Sequence, residues 1–163
     1  MSTDYCVVLP LAPMPMWRDY TSRTPLHCTV FPWFSLPEND IKPNVAALFQ
    51  DIVLPHAQAS VRLIAVQPDY FGVLCDIPVH RVRSTEQLRW LHYEVYSRVK
   101  ESAGVYSPRW VGVNYAPHVT SLRNSSFPSG STADVDRLVV IERRGDIKRP
   151  LAHIIFANCN TSS

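Results

Sequence analysis

Glycine is scarce, with five in 163 residues. That scarcity excludes the Gly-rich phosphate loops: neither a GxGxxG nor a GK[ST] run occurs, and such loops need glycine where backbone amides close on phosphate. Charge is thin as well, at 18% charged residues and a formal net charge of +2. So small a net charge does not demand a nucleic-acid partner, although it allows a local basic patch facing an anionic ligand. No apolar run approaches the ~20 residues of a membrane helix. The N-terminal "YCVVLPL" lacks a basic flank and is shorter than a signal-peptide core. The expectation is a cytoplasmic protein with no membrane association. The four cysteines, Cys6, Cys28, Cys75 and Cys159, form no CxxC pair. Lying in apolar, strand-like runs, they read as reduced core residues rather than a disulfide or zinc framework. HExxH is missing, and His56, His80, His92 and His153 show no metal-ligand spacing, so neither a metal nor a cofactor is expected. His92, on an amphipathic helix, and His153, in a closing strand, read as structural.

What is present is a chain of ordinary hydrophobicity, 46% apolar, with fourteen prolines. It is long enough for one domain with a substantial core, and no linker or low-complexity segment divides residues 1–163. Strands are expected at Tyr5–Leu11 and Leu26–Phe34, separated by the polar loop 12–24. Val45, Leu48, Phe49, Ile52 and Val53 recur at helical spacing, with Asp40 as cap and Pro55 as stop. Ala59–Val66 and Tyr70–Val82 read as a hairpin turning at "QPD". A stronger helix follows, where Ser84 and Gln87 form a capping box, Leu88, Leu91, Val95 and Val99 form one stripe, and Gly104 closes the end. Trp110–Leu122 is strand-like, and two closing strands end the chain. Helices interleaved with antiparallel hairpins predict an α+β fold rather than a doubly wound nucleotide fold.

Two short strings carry the chemistry: "TPLHCTVFPWF" at 24–34 and "YAPHVTSLR" at 115–123. Strand side chains alternate faces, so His27 and Thr29 share one face while Cys28 and Val30 point to the opposite, apolar side. His118 and Thr120 share a face likewise, with Val119 opposite. With six His and eight Thr, chance expects roughly 0.3 His-x-Thr tripeptides; two, both in apolar strand context, point to function. Side by side they would present two imidazoles and two hydroxyls on one concave surface. Displacement at a phosphodiester needs a base for the attacking oxygen and an acid for the departing one, and imidazole serves either role near neutrality. Threonine hydroxyls donate to the non-bridging oxygens and offset charge developing in the transition state. A ribonuclease-like His/Lys pair is not expected, since Lys42, Lys100 and Lys148 lie in helical or turn contexts away from both motifs.

"LHCTVF" and "APHVTSLR" resemble the paired signatures of the 2H phosphoesterase superfamily, which includes 2′,5′ RNA ligase-like proteins and cyclic phosphodiesterases. The 91-residue spacing from His27 to His118 and the overall length agree with that family. The sequence departs from it at "PWF" after Thr29 and at Ser121. The resemblance implies a bilobal α+β fold of two pseudo-symmetric halves of antiparallel sheet, with helices outside and the motifs facing a central cleft. It implies metal-independent cleavage of 2′,3′-cyclic, 2′,5′ or related phosphodiesters. His118 would be the base, His27 the acid, and Thr29 and Thr120 the phosphate ligands.

For a nucleotide or oligonucleotide substrate, Trp33, Phe34 and Tyr115 are candidate stacking surfaces, with a core role equally open for each, and Arg123 is a candidate phosphate contact. Trp33 shares the face of His27; Phe34 shares that of Cys28. Trp17, Arg18, Tyr20 and Arg23 lie where a rim could form, although loop side chains of this kind read first as simply solvated. The leading expectation is a monomeric two-histidine phosphodiesterase, without an obligate protein partner, acting on small nucleotides, on RNA ends, or on cyclic oligonucleotide signals as immune-evasion relatives do. The rival is a module that binds nucleotide or RNA in the same cleft without cleaving it.

Overall fold

The computed structural model describes residues 2–38 and 44–156. Nine strands and one α-helix make up the regular structure of this region: β1 Thr3–Pro10, β2 His27–Ser35, β3 Val61–Phe71, β4 Ile77–Val82, α1 Glu86–Glu101, β5 Val105–Tyr106, β6 His118–Thr120, β7 Thr132–Val135, β8 Arg137–Arg144 and β9 Ile147–Ile155. All pairings are antiparallel. The order is β7-β3-β4-β6-β2-β1-β8-β9, with β5 paired to β2. Read outward from the centre, each side is a run of four strands, β6-β4-β3-β7 and β2-β1-β8-β9. The two sides meet at the β2–β6 pair, Cys28 opposite Val119. The fold is α+β, and the two strands carrying His-x-Thr form its seam.

One face of the sheet holds the main core. Val7, Leu9, Cys28, Val30, Phe31, Val119, Leu138 and Val140 pack there with Leu88, Leu91, Val95 and Val99 of α1. Those four helix side chains are fully buried, each stabilising the fold by roughly 1.5–3 kcal/mol relative to exposure. The opposite face carries a smaller cluster of Cys6, Val8, Met14, Val139 and Ile141, with Trp33 against it.

α1 forms where its periodicity predicts, but its cap is Thr85, whose hydroxyl accepts from the Leu88 amide at 3.1 Å. Gln87 is diverted to Gln58 and the Ser60 carbonyl instead of closing a box with Ser84. The left-handed residue at its end is Ala103, with φ of 56°. Gly104 is required for a different reason: a Cβ there would lie 2.5 Å from Val99 Cγ1.

The first expected helix is not an α-helix among the described residues. Val45–Leu48 is a short 3-10 turn capped by the Asn44 side chain, and Asp51 has a φ of 67°. Val45, Phe49 and Ile52 still reach the core, joined by Leu54, whereas Val53 of the expected stripe is exposed; the periodicity reported burial in part, and not helical backbone. Asp40 lies outside the described residues. The β3–β4 hairpin turns at Gly72–Asp76, with Gly72 at φ 96° and Cys75 at φ 50°, and not at "QPD". Pro68 sits within β3 beyond a register shift between Ala65 and Gln67. Cys75 is therefore exposed on the turn, whereas Cys6 and Cys28 are buried free thiols as expected; Cys159 lies outside the described residues. No helix among the described residues is long and apolar enough to cross a membrane.

Candidate active site

Because β2 and β6 are antiparallel with Cys28 opposite Val119, His27 faces Thr120 across the ladder and Thr29 faces His118. Cross-strand partners share a face. Cys28 and Val119 are fully buried on the core side, so all four polar side chains stand on the other side. There they line a cleft of about 550 Å³. The two imidazoles are diagonal neighbours across the seam, with the two hydroxyls on the other diagonal; such diagonals span roughly 7–8 Å.

Both histidines are held in the same way. His27 Nδ1 lies 2.7 Å from the Pro25 carbonyl, and His118 Nδ1 lies 2.8 Å from the Ala116 carbonyl. A carbonyl only accepts, so Nδ1 carries the proton and Nε2 is the nitrogen free for chemistry. Burial lowers the His27 pKa from its ordinary 6.5; the Pro25 carbonyl opposes this, and the charges of His118 and Lys148 add to it. His118 is lowered for the same first reason, with the Ala116 carbonyl opposing and the Arg81 charge adding. Arg81 is the cross-strand partner of His118 on β4.

A second layer fixes these strands. Tyr115 donates its phenol hydrogen to the Thr29 carbonyl at 2.8 Å, and its ring stacks on His92 with centroids 4.0 Å apart and planes 2° from parallel. Burial raises the Tyr115 pKa well above its ordinary value, which keeps the phenol a donor. His92 is itself buried, with Nδ1 2.7 Å from the Val30 carbonyl and Nε2 accepting from the Gly112 amide at 2.9 Å. The helix thus clamps the first motif strand to the loop that leads into the second. The structural reading of His92 holds, and so does that of His153, whose Nε2 lies 2.7 Å from the Met14 carbonyl.

Not every candidate reaches the cleft. Trp33 lines it, with the Arg143 guanidinium 4.2 Å from its ring centroid. Tyr115 lines it too, though its hydroxyl is already engaged. Phe34 is 1% exposed and packs on Tyr5, Phe31 and Phe49, so it is a core residue and not a stacking surface. The β1–β2 register slips twice, between the Val8–Thr29 and Val7–Phe31 pairs and again before Tyr5–Phe34. The first slip turns Phe31 into the core; the second restores the alternation, leaving Trp33 on the cleft side. Arg123 is exposed and lies outside the cleft, because β6 ends at Thr120 and the chain turns back through the Leu122–Ser125 bridge. Of the rim candidates Trp17, Arg18, Tyr20 and Arg23, only Arg23 lines the cleft; its Nη1 donates to the Ser121 carbonyl at 3.0 Å.

Other cleft residues carried no signal in the sequence. Phe71 and Trp110 stack at 5.3 Å and 14°, and Phe71 meets the His118 ring edge-on at 4.4 Å. Together they form an aromatic wall. Arg109 lines the cleft beside Trp110. Lys148 lines it from β9, which corrects the expectation that no lysine lies near either motif. The β3–β4 turn places Phe71, a 3-10 turn at Pro108–Trp110 carries Arg109 and Trp110, and pairing with Arg143 places Lys148; none of these has a local signature.

No family model and no curated protein sequence matches this chain. Among solved structures, a phosphoesterase crystal structure superposes with a TM-score of 0.61 at 16% identity, covering 96% of this chain and 99% of that one. E. coli LigT complexed with 3′-AMP gives 0.59 at 16% identity, and LigT complexed with NADP+ gives 0.59 at 13%, each covering 96% of this chain and 98% of LigT. The chain therefore has the 2H phosphoesterase-like α+β fold, with its two motif strands at the sheet's centre.

Proposed function

We propose that this protein is a two-histidine phosphodiesterase that hydrolyses cyclic or 2′,5′-linked nucleotide phosphodiesters. The observation that carries the reading is the crossed pair of imidazoles and hydroxyls at the β2–β6 seam, each imidazole tied through Nδ1 to the carbonyl two residues before it. The phosphoesterase neighbours of the fold add support.

In this scheme the phosphate sits between His27 and His118, with Thr29 and Thr120 donating to its non-bridging oxygens. His118 Nε2 takes a proton from water as the water oxygen bonds to phosphorus. The opposite P–O bond breaks, and His27, protonated on Nε2, passes that proton to the departing oxygen. The product is a phosphomonoester beside a free hydroxyl, and proton exchange with water resets both rings. A negatively charged substrate raises the depressed imidazole pKa values as it binds, which supplies the protonated acid. The aromatic wall of Phe71 and Trp110 offers a stacking surface for a base. A cleft of this size favours a small nucleotide or a short oligonucleotide over long RNA.

The test is a panel of 2′,3′-cyclic nucleotides, 2′,5′-oligoadenylates, NAD-derived cyclic phosphates and cyclic dinucleotides, with products separated by chromatography. Removing one general acid or base costs roughly 10²–10⁴ in rate, so His27→Ala and His118→Ala should each lose that much kcat with the fold retained by circular dichroism. Full turnover with either histidine replaced would overturn the mechanism. Tight calorimetric binding without product would instead show a binding module.

A further inference from the structure

The cleft carries more positive charge than one phosphodiester monoanion calls for. Arg23, Arg109 and Lys148 line it, and no Asp or Glu does among the described residues. Arg23 and Lys148 belong to one corner. The Lys148 ammonium donates to the Ser22 carbonyl at 2.9 Å, next to Arg23 in the chain, and the backbones of Tyr20 and Lys148 exchange hydrogen bonds at 2.8 and 2.9 Å. That corner adjoins the first motif: Lys148 is near enough to lower the His27 pKa, and Arg23 precedes Thr24 and Pro25 on the same wall.

The neighbouring cations are treated differently. Arg137, Arg143, Arg144 and Arg149 of the β8–β9 hairpin are matched with Asp136, Asp4, Glu142 and Asp19. Lys148 is half-buried between them in sequence, yet no carboxylate of the described residues pairs with it or with Arg23. A half-buried cation held by a carbonyl and without a counter-charge is a favourable seat for an anion. The Thr29 and Thr120 hydroxyls already answer the scissile phosphate, and the aromatic wall with Arg109 lies on the His118 side.

Resting on the phosphodiesterase reading above, we infer that the substrate is a nucleotide with a second phosphate, seated on Arg23 and Lys148 beyond His27. In a nucleoside 2′,3′-cyclic phosphate, the sugar position left for that group is the 5′ oxygen. The scissile phosphate then lies at the seam, the base against Phe71 and Trp110, and the second phosphate in the cationic corner.

The experiment compares adenosine 2′,3′-cyclic phosphate with its 5′-phosphorylated counterpart in steady-state kinetics. The enzymes are the wild type, Lys148→Gln, Lys148→Arg and the double variant Arg23→Gln/Lys148→Gln. The 5′-phosphate should lower KM by about tenfold or more, the worth of a charge-assisted contact, with kcat little changed between the two substrates. That preference should shrink in Lys148→Gln, persist in Lys148→Arg and approach one in the double variant. Equal KM values in the wild type would overturn the inference, as would a preference surviving undiminished in the double variant. Turnover of neither nucleotide would count against the phosphodiesterase reading alone. Calorimetric Kd values for the same two compounds then give the same ratio, and the same outcomes decide.

Discussion

Replacing Tyr115 by phenylalanine removes one oxygen and keeps the ring, which isolates the link between the helix and the first motif. In the native chain that oxygen donates to the Thr29 carbonyl at 2.8 Å, while the ring lies flat on His92 at 4.0 Å. Phenylalanine retains the stack. The Thr29 carbonyl loses its donor in a half-buried setting, at a cost of about 1–2 kcal/mol. For a chain of this length that corresponds to a fall in Tm of roughly 3–6 °C. Thr29 also stands across the ladder from His118, so loosening its backbone should lower kcat/KM by on the order of tenfold, the scale of a sub-ångström misplacement. Calorimetric melting and turnover on the same preparation measure both quantities. An unchanged Tm would refute the claim that this bond holds the strand. A loss beyond a hundredfold at unchanged Tm would show instead that the phenol acts on substrate directly.

Two further outcomes follow from the geometry. Catalysis as drawn needs His118 neutral and His27 protonated, and both pKa values are lowered from 6.5; the bell-shaped profile of kcat/KM, which reports the free enzyme, should therefore peak below that pH, and a maximum above neutrality would contradict the assignment. Gly104→Ala forces a Cβ to within 2.5 Å of the fully buried Val99 side chain; overpacking of this kind costs about 1–3 kcal/mol, visible as a lower urea midpoint, while an unchanged midpoint would mean that the helix end yields freely.

Much of the site was legible because it rests on local periodicity. His27, Thr29, His118 and Thr120 could be assigned to shared faces from the period of two, and the apolar residues between them fixed which face was core. The stripe on α1 and the structural place of His92 could be read for the same reason. Where the reading failed, a non-local contact had overridden a local pattern. Val45, Phe49 and Ile52 are spaced as on a helix but bury their side chains from a 3-10 turn and irregular chain, while Val53 of the same spacing is exposed. Arg123 follows its motif in sequence and still lies outside the cleft, because the chain folds back at Leu122.

The sequence by itself determined which four polar side chains stand together on which faces of their strands, in an α+β setting. Only the tertiary structure decided how they meet. The Cys28–Val119 pairing crosses His with Thr at the seam, and the two register slips in β2 sort Phe31 and Phe34 into the core and Trp33 into the cleft. It alone brought Phe71, Trp110, Arg109 and Lys148 to the same cleft. Face is set by neighbours one or two residues away, whereas proximity between strands depends on register and turns formed by residues scattered along the whole chain.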